Sequence, residues 1–167
     1  MVPVRVLGVA LDSAQHHVVL LAPLPGGGAE GGIVLPVWIG SQEAMSILVA
    51  IERAATPRPL AHDLMAVMIR ELSASVERVV VTRLVEGTFF AEIHLATPRG
   101  PFVIDARPSD AIALAARTDA PILVAEAVLA EAGVPEGAME FDTRGDDDRV
   151  EEFRKFLDDV DPDDFQG

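Results

Sequence analysis

The chain has 167 residues, half of them hydrophobic and mostly Val, Leu, Ile and Ala, which is the size of one ordinary domain with an aliphatic core. It has no cysteine, so disulfides, zinc–thiolate sites and thiol catalysis are excluded, and seven Phe with a single Trp argue against a surface rich in base-stacking rings. The net charge of −14 runs along the whole length: residues 1–139 hold 15 acidic side chains against nine Arg and no Lys, and residues 140–167 hold 12 against four, so no basic stripe for a phosphate backbone is visible.

Met1-Val2-Pro3-Val4-Arg5 lacks the basic and apolar regions of a signal peptide, and no run of about 18 apolar residues marks a membrane span. The chain therefore reads as cytoplasmic, with no membrane contact. Val4–Leu11 is an apolar strand, Asp12-Ser13-Ala14-Gln15 a turn, and His17–Leu24 the second strand of a hairpin. Residues 25–32 hold too many Gly for either element and form a surface loop, without the Lys-Ser/Thr ending of a P-loop. Ile33–Ile39 is a third strand, whose Pro36 removes a ladder donor and points to an edge or bulge. A helix over Gln42–Ala55 buries Ala44, Ile47, Leu48 and Ile51, and Pro57 and Pro59 prevent its continuation. A second helix spans about Leu60–Leu72.

The pattern then restarts. Val76–Leu84 and Thr88–Ala96 form a hairpin around Val85-Glu86-Gly87, Phe102–Ala106 is a third strand, and a helix opens at Pro108-Ser109-Asp110 and runs to about Arg117. Pro121–Val124 is a short strand, and Ala125–Glu131 a short helix stopped by Gly133. Two halves, each hairpin, strand and helix, align at Glu43-Ala44-Met45-Ser46-Ile47 and Asp110-Ala111-Ile112-Ala113-Leu114. The expected fold is α+β, a mixed or antiparallel sheet with packed helices, the halves being either a degenerate repeat or two strand-to-helix junctions of the ordinary kind. The domain occupies residues 1–135. Residues 136–167 form an acidic extension, with Val150, Phe153, Phe156, Leu157 and Val160 at amphipathic helical spacing and a mobile end over 161–167.

Three polar clusters interrupt the aliphatic background. In Asp105-Ala106-Arg107-Pro108-Ser109-Asp110 a strand gives way to a helix. There Arg107 can grip a phosphate, and Asp105 and Asp110 can share a divalent cation with water. The plainer alternative is that Ser109 or Asp110 caps the helix and Arg107 pairs with a neighbouring acid. In Arg58-Pro59-Leu60-Ala61-His62-Asp63, histidine is the side chain suited to general-base work. His62 and Asp63 point about 100° apart on a helix and are no ready-made dyad, and the plainer alternative is that they are a capping pair at the helix start. In Trp38-Ile39-Gly40-Ser41-Gln42-Glu43, the Trp beside Gly suggests packing against backbone. Glu43 is the repeat partner of Asp110, so the two acids meet in one cleft if the halves are related by a two-fold axis. His16, His17 and His94 form no metal-ligand spacing.

Leu35-Pro36-Val37-Trp38-Ile39-Gly40 with Glu43-Ala44, then Arg58 to Leu64, then Ile104 to Ala115, closely resemble in order and spacing the signature blocks of the bifunctional nuclease domain family. The resemblance covers roughly residues 4–132 and departs at Ala61, where the family usually has Thr. The acidic tail resembles the extension of bacterial members. What the resemblance implies is a compact α+β fold that self-associates, a dimer being favoured, and DNase and RNase activity of the kind for which plant relatives are named. The candidate site is the overlap of those blocks with chemically able residues. Asp105, Arg107, Asp110 and His62 are the catalytic candidates, Arg58 and Ser109 the substrate contacts. Asp105, Asp110 and Glu43 are candidate ligands for Mg²⁺ or Mn²⁺, and no organic cofactor is expected. The leading expectation is hydrolysis of single-stranded or unstructured DNA and RNA. The competing one is a non-catalytic oligomeric binding or regulatory module, which net acidity and the lack of a recognisable triad favour.

Overall fold

The computed structural model describes residues 1–26, 32–138 and Lys155. In chain order the elements are β1 (Val2–Leu11), β2 (His17–Pro23), β3 (Ile33–Ile39), α1 (Ser41–Ile51), α2 (Ala61–Glu71), β4 (Ser75–Val85), β5 (Thr88–Thr97), β6 (Gly100–Ala106), α3 (Pro108–Thr118), β7 (Ile122–Val124), α4 (Glu126–Ala132) and β8 (Val134–Pro135). This is the expected α+β fold. The expected acidic tail and the centre of the Gly-rich loop lie outside the described residues.

All eight strands form one mixed sheet in the order β6-β5-β4-β7-β1-β2-β3-β8. Two antiparallel meanders, β1-β2-β3 and β4-β5-β6, flank the short β7, which runs antiparallel to β1 and parallel to β4. Each meander leads into a helix, β3 into α1 and β6 into α3, and those two helices pack on each other. The duplicated hairpin–strand–helix plan is thus laid out on either side of a central strand.

Period-two alternation sorts the side chains. In β2, Val19 and Leu21 join the main core beneath α1 and α3, while Val18 and Leu20 join a smaller cluster with Ala10 and Val34. Ile47 of α1 and Ile112 of α3 are fully enclosed in the main core. Burying side chains of this size contributes roughly 1.5–3 kcal/mol each, so the helix–helix contact anchors the layout.

Several boundaries differ from expectation for local reasons. The helix expected to reach Ala55 ends at Ile51, because Arg53 turns to a positive φ of 52° and the N–H of Ala54 folds back to the Val49 carbonyl. Pro36 does stand at an edge: β8 pairs only with Ile33 and Val34, so no ladder needs a donor from Pro36 on that side. Gly133 ends α4 in extended conformation (φ −69°, ψ 137°), not as a left-handed cap. Glycine is needed there because a Cβ would lie 2.4 Å from the Leu129 carbonyl oxygen and 2.7 Å from Ile33 Cγ2.

Candidate active site

Three helix beginnings converge at the contact between the halves. α3 starts sharply because Pro108 occupies its first turn with a preset φ. Neither Ser109 nor Asp110 caps it. Arg107 holds the N-cap position in extended backbone conformation without a side-chain cap, and Ser109 is buried. Freed from capping, Asp110 accepts two hydrogen bonds from Arg107, Nε to Oδ2 at 2.7 Å and Nη2 to Oδ1 at 3.0 Å. Arg107 Nη1 lies 3.0 Å from Glu43 Oε1 in the first turn of α1. The repeat-related acids therefore meet across one guanidinium.

The row continues on the other side of Asp110. His62 Nε2 is 3.2 Å from Asp110 Oδ1, and His62 Nδ1 is 2.8 Å from Ser46 Oγ. Partial burial pushes the Asp110 carboxyl up, but hydrogen bonds and charge from Arg107 and His62 outweigh it, leaving its pKa below the ordinary 3.8. The Arg107 guanidinium, hydrogen-bonded to Asp110 and beside Glu43, is held still more firmly protonated than usual. An ionised Asp110 only accepts, so neutral His62 carries its proton on Nε2 and leaves Nδ1 as the acceptor for the Ser46 hydroxyl. Ser46, His62 and Asp110 thus form one hydrogen-bonded row across α1, α2 and α3.

Neighbouring Asp63 turns away from His62, as helical geometry requires. Its Oδ2 accepts the Leu60 N–H at 2.8 Å, closing the start of α2, and its Oδ1 accepts from Arg117 Nε at 2.5 Å. Arg117 Nη1 donates to the carbonyls of Ser46 and Ala113. One buried guanidinium thus fixes α1, α2 and α3 together and sets the distance between Ser46 and His62.

Two cavities open on either side of Arg107 and Glu43. The smaller, about 380 Å³, is lined by Ser46, Ala61, His62 and Asp110 as well. The larger, about 600 Å³, adds Trp38, Phe89, Ser109 and His16. Trp38 is 47% exposed, with its indole N–H donated to Asp12 Oδ2 at 3.0 Å. Backbone hydrogen bonding from His16, then the Trp38 bond, hold Asp12 down to about 2.

Of the residues singled out in the sequence, Arg107, Asp110, His62 and Glu43 come together, and Ser109 lines the neighbouring cavity. Asp105 does not join them. It is exposed on β6, opposite Glu92 in the ladder. Arg58 is exposed between α1 and α2, outside both cavities. Among the described residues no group of three His, Asp or Glu is placed to hold a metal ion, so the expected Asp105, Asp110 and Glu43 set does not assemble. A guanidinium already lies between the two carboxylates that do meet. Ser46 and the Asp63–Arg117 pair went unremarked as functional residues. The available signal for Ser46 was a lone hydroxyl three residues after Glu43, on the same helix face.

A family model for the bifunctional nuclease domain matches residues 28–137, which include the whole row from Glu43 to Asp110. An uncharacterized protein of Mycobacterium tuberculosis is 42% identical over 166 residues, covering 98% of this chain and 97% of that protein. Bifunctional nuclease 1 of Oryza sativa subsp. japonica is 28% identical over 116 residues, 68% of this chain but 34% of its own length. Bifunctional nuclease 2 of Arabidopsis thaliana is 30% identical over 96 residues, 56% of this chain and 29% of its own. The domain match and the end-to-end likeness agree: the chain belongs to the bifunctional nuclease domain family, a family of nuclease type.

Proposed function

We propose that this chain is a phosphodiesterase-type nuclease that hydrolyses single-stranded or unstructured DNA and RNA in the cavities around Arg107. The observation that carries this reading is the hydrogen-bonded row joining an exposed guanidinium, a carboxylate and a buried imidazole at a cavity wall. Arg107 has the fork geometry that suits phosphate oxygens, and its side chain is 65% exposed. Asp110 grips it through two bonds and Glu43 through one, so Glu43 is the partner that an incoming phosphate displaces. His62, its tautomer set by Asp110, takes the proton of the attacking oxygen. The family supports the reaction class, and the larger cavity offers room for the adjoining nucleotide.

A Mg²⁺ or Mn²⁺ requirement has no assembled protein ligand set behind it among the described residues, and no step above depends on one. Two measurements separate the alternatives on labelled single-stranded DNA and RNA. In EDTA the arginine–histidine site is expected to keep its activity, whereas a strict metal requirement returns Asp105 and Glu43 to the reckoning. Asp105→Asn keeps the rate in the first case and loses at least about tenfold in the second.

His62→Ala and Arg107→Met are each expected to lower the rate by about 10²-fold or more. Equal rates in wild type and both variants would mark a contaminant. The domain would then be the non-catalytic module that its acidity favours.

A further inference from the structure

We infer that Ser46 is the nucleophile of this site, so that hydrolysis passes through a covalent phosphoseryl intermediate. The inference takes its substrate from the reading above, but its chemistry stands on the geometry of three side chains. Both oxygens of Asp110 accept from Arg107, and one also faces His62 Nε2 at 3.2 Å. A carboxylate so engaged offers no proton, so the contact requires Nε2–H, and in the neutral imidazole Nδ1 then keeps its lone pair. The group at Nδ1 is the Ser46 hydroxyl, 2.8 Å away. It donates, and its oxygen lone pairs are left for an electrophile.

Serine and threonine within a helix commonly return their hydroxyl to a carbonyl one turn earlier. Thr118 in α3 does so, donating to Leu114 and Ala115. Ser46, in the second turn of α1, is instead bonded to His62 from a neighbouring helix. Its cavity also contains Arg107, which supplies positive charge for the non-bridging phosphate oxygens. The His62 side chain is only 10% exposed, so bulk water competes little for Nδ1.

The steps balance without a redox partner. Ser46 Oγ forms a bond to phosphorus while the bond to the departing nucleoside oxygen breaks. The hydroxyl proton passes to His62 Nδ1 and from there to that oxygen. Water then attacks the phosphoserine, gives its proton to Nδ1, and the Oγ–phosphorus bond breaks as Oγ takes the proton back. Asp110 faces the transient imidazolium at Nε2 throughout. Relative to the familiar serine hydrolase relay the two ring nitrogens exchange roles, which leaves the proton count unchanged.

The test treats the full chain with a fluorophosphonate, which reacts with activated serine hydroxyls and needs no nucleic acid. A single adduct on the peptide bearing Ser46, absent from Ser46→Ala and His62→Ala, is the expected result. No adduct at Ser46 in the wild-type chain overturns the inference, whatever the variants do. Ser46→Ala, confirmed folded by circular dichroism, should lower hydrolysis of labelled single-stranded DNA by at least about 10³-fold. A Ser46→Ala rate near wild type, with His62→Ala impaired, also overturns it, because His62 then activates water directly. Adduct formation at Ser46 without any nuclease activity would sink the nuclease reading and leave the activated serine standing.

Discussion

Arg117 is 6% exposed in its side chain, and its Nη2 has no hydrogen-bond partner. Among the described residues its ion-pair partner is Asp63, so Asp63→Asn strands a buried cation. That loss should cost about 3 kcal/mol in urea unfolding, the lower end for such pairs because Asp63 is a third open to solvent. Combining it with Arg117→Met should recover part of the loss, since the stranded charge is then gone. Asp110 carries a pH dependence of definite sign. Its folded pKa is depressed, so its contribution to stability is complete above the ordinary 3.8 and disappears as pH falls through the lower folded value. Melting temperature followed between about pH 5 and pH 2 should therefore drop less steeply in Asp110→Asn than in wild type. Asp12, held near 2, contributes a similar slope and makes Asp12→Asn the matching comparison. Arg107 and Asp110 were legible in the sequence because they lie one helical turn apart. Ser46 and His62 were not recognised as a pair, because 16 residues and a helix-to-helix turn separate them.

At the level of elements, patterning and turn signals located every strand and helix among the described residues except β8. A strand of two residues is too short to show alternation, and β8 exists because Val134 and Pro135 find the free side of β3. Its placement depends on Gly133, where the chain passes against the end of α4. Gly133→Ala forces a Cβ onto a backbone carbonyl that cannot step aside. The expected cost is about 1–3 kcal/mol by thermal unfolding, with the Val134 amide, the one exchangeable amide of β8, losing hydrogen-exchange protection first. The helix beginnings at Ala61 and Pro108 illustrate what patterning leaves open. Sequence located both, yet the partners of their polar residues depended on how α1, α2 and α3 packed. Asp105 shows the converse: two residues from Arg107 in the chain, it ends on the sheet and away from the cavities.

For the whole molecule, the two-half reading anticipated the meeting of Glu43 and Asp110, whereas the insertion of β7 between the meanders was not foreseeable from either half. At one end of the sheet β6 exposes Phe102, Val103 and Ile104; elsewhere α2 exposes Leu64, Met65 and Met68. An apolar outer strand of this kind is ordinarily covered, and a second copy of the chain is the proposed cover. Sedimentation should show a dimer that Phe102→Asp with Ile104→Asp converts to monomer. Trp38 has a use that follows from its position. The chain contains one Trp and no Tyr, so ultraviolet emission from the folded protein comes from a single indole, tethered to Asp12 at the mouth of the larger cavity. The protein is in effect its own optical reporter, and filling that cavity with an oligonucleotide should quench or shift the signal without any attached dye.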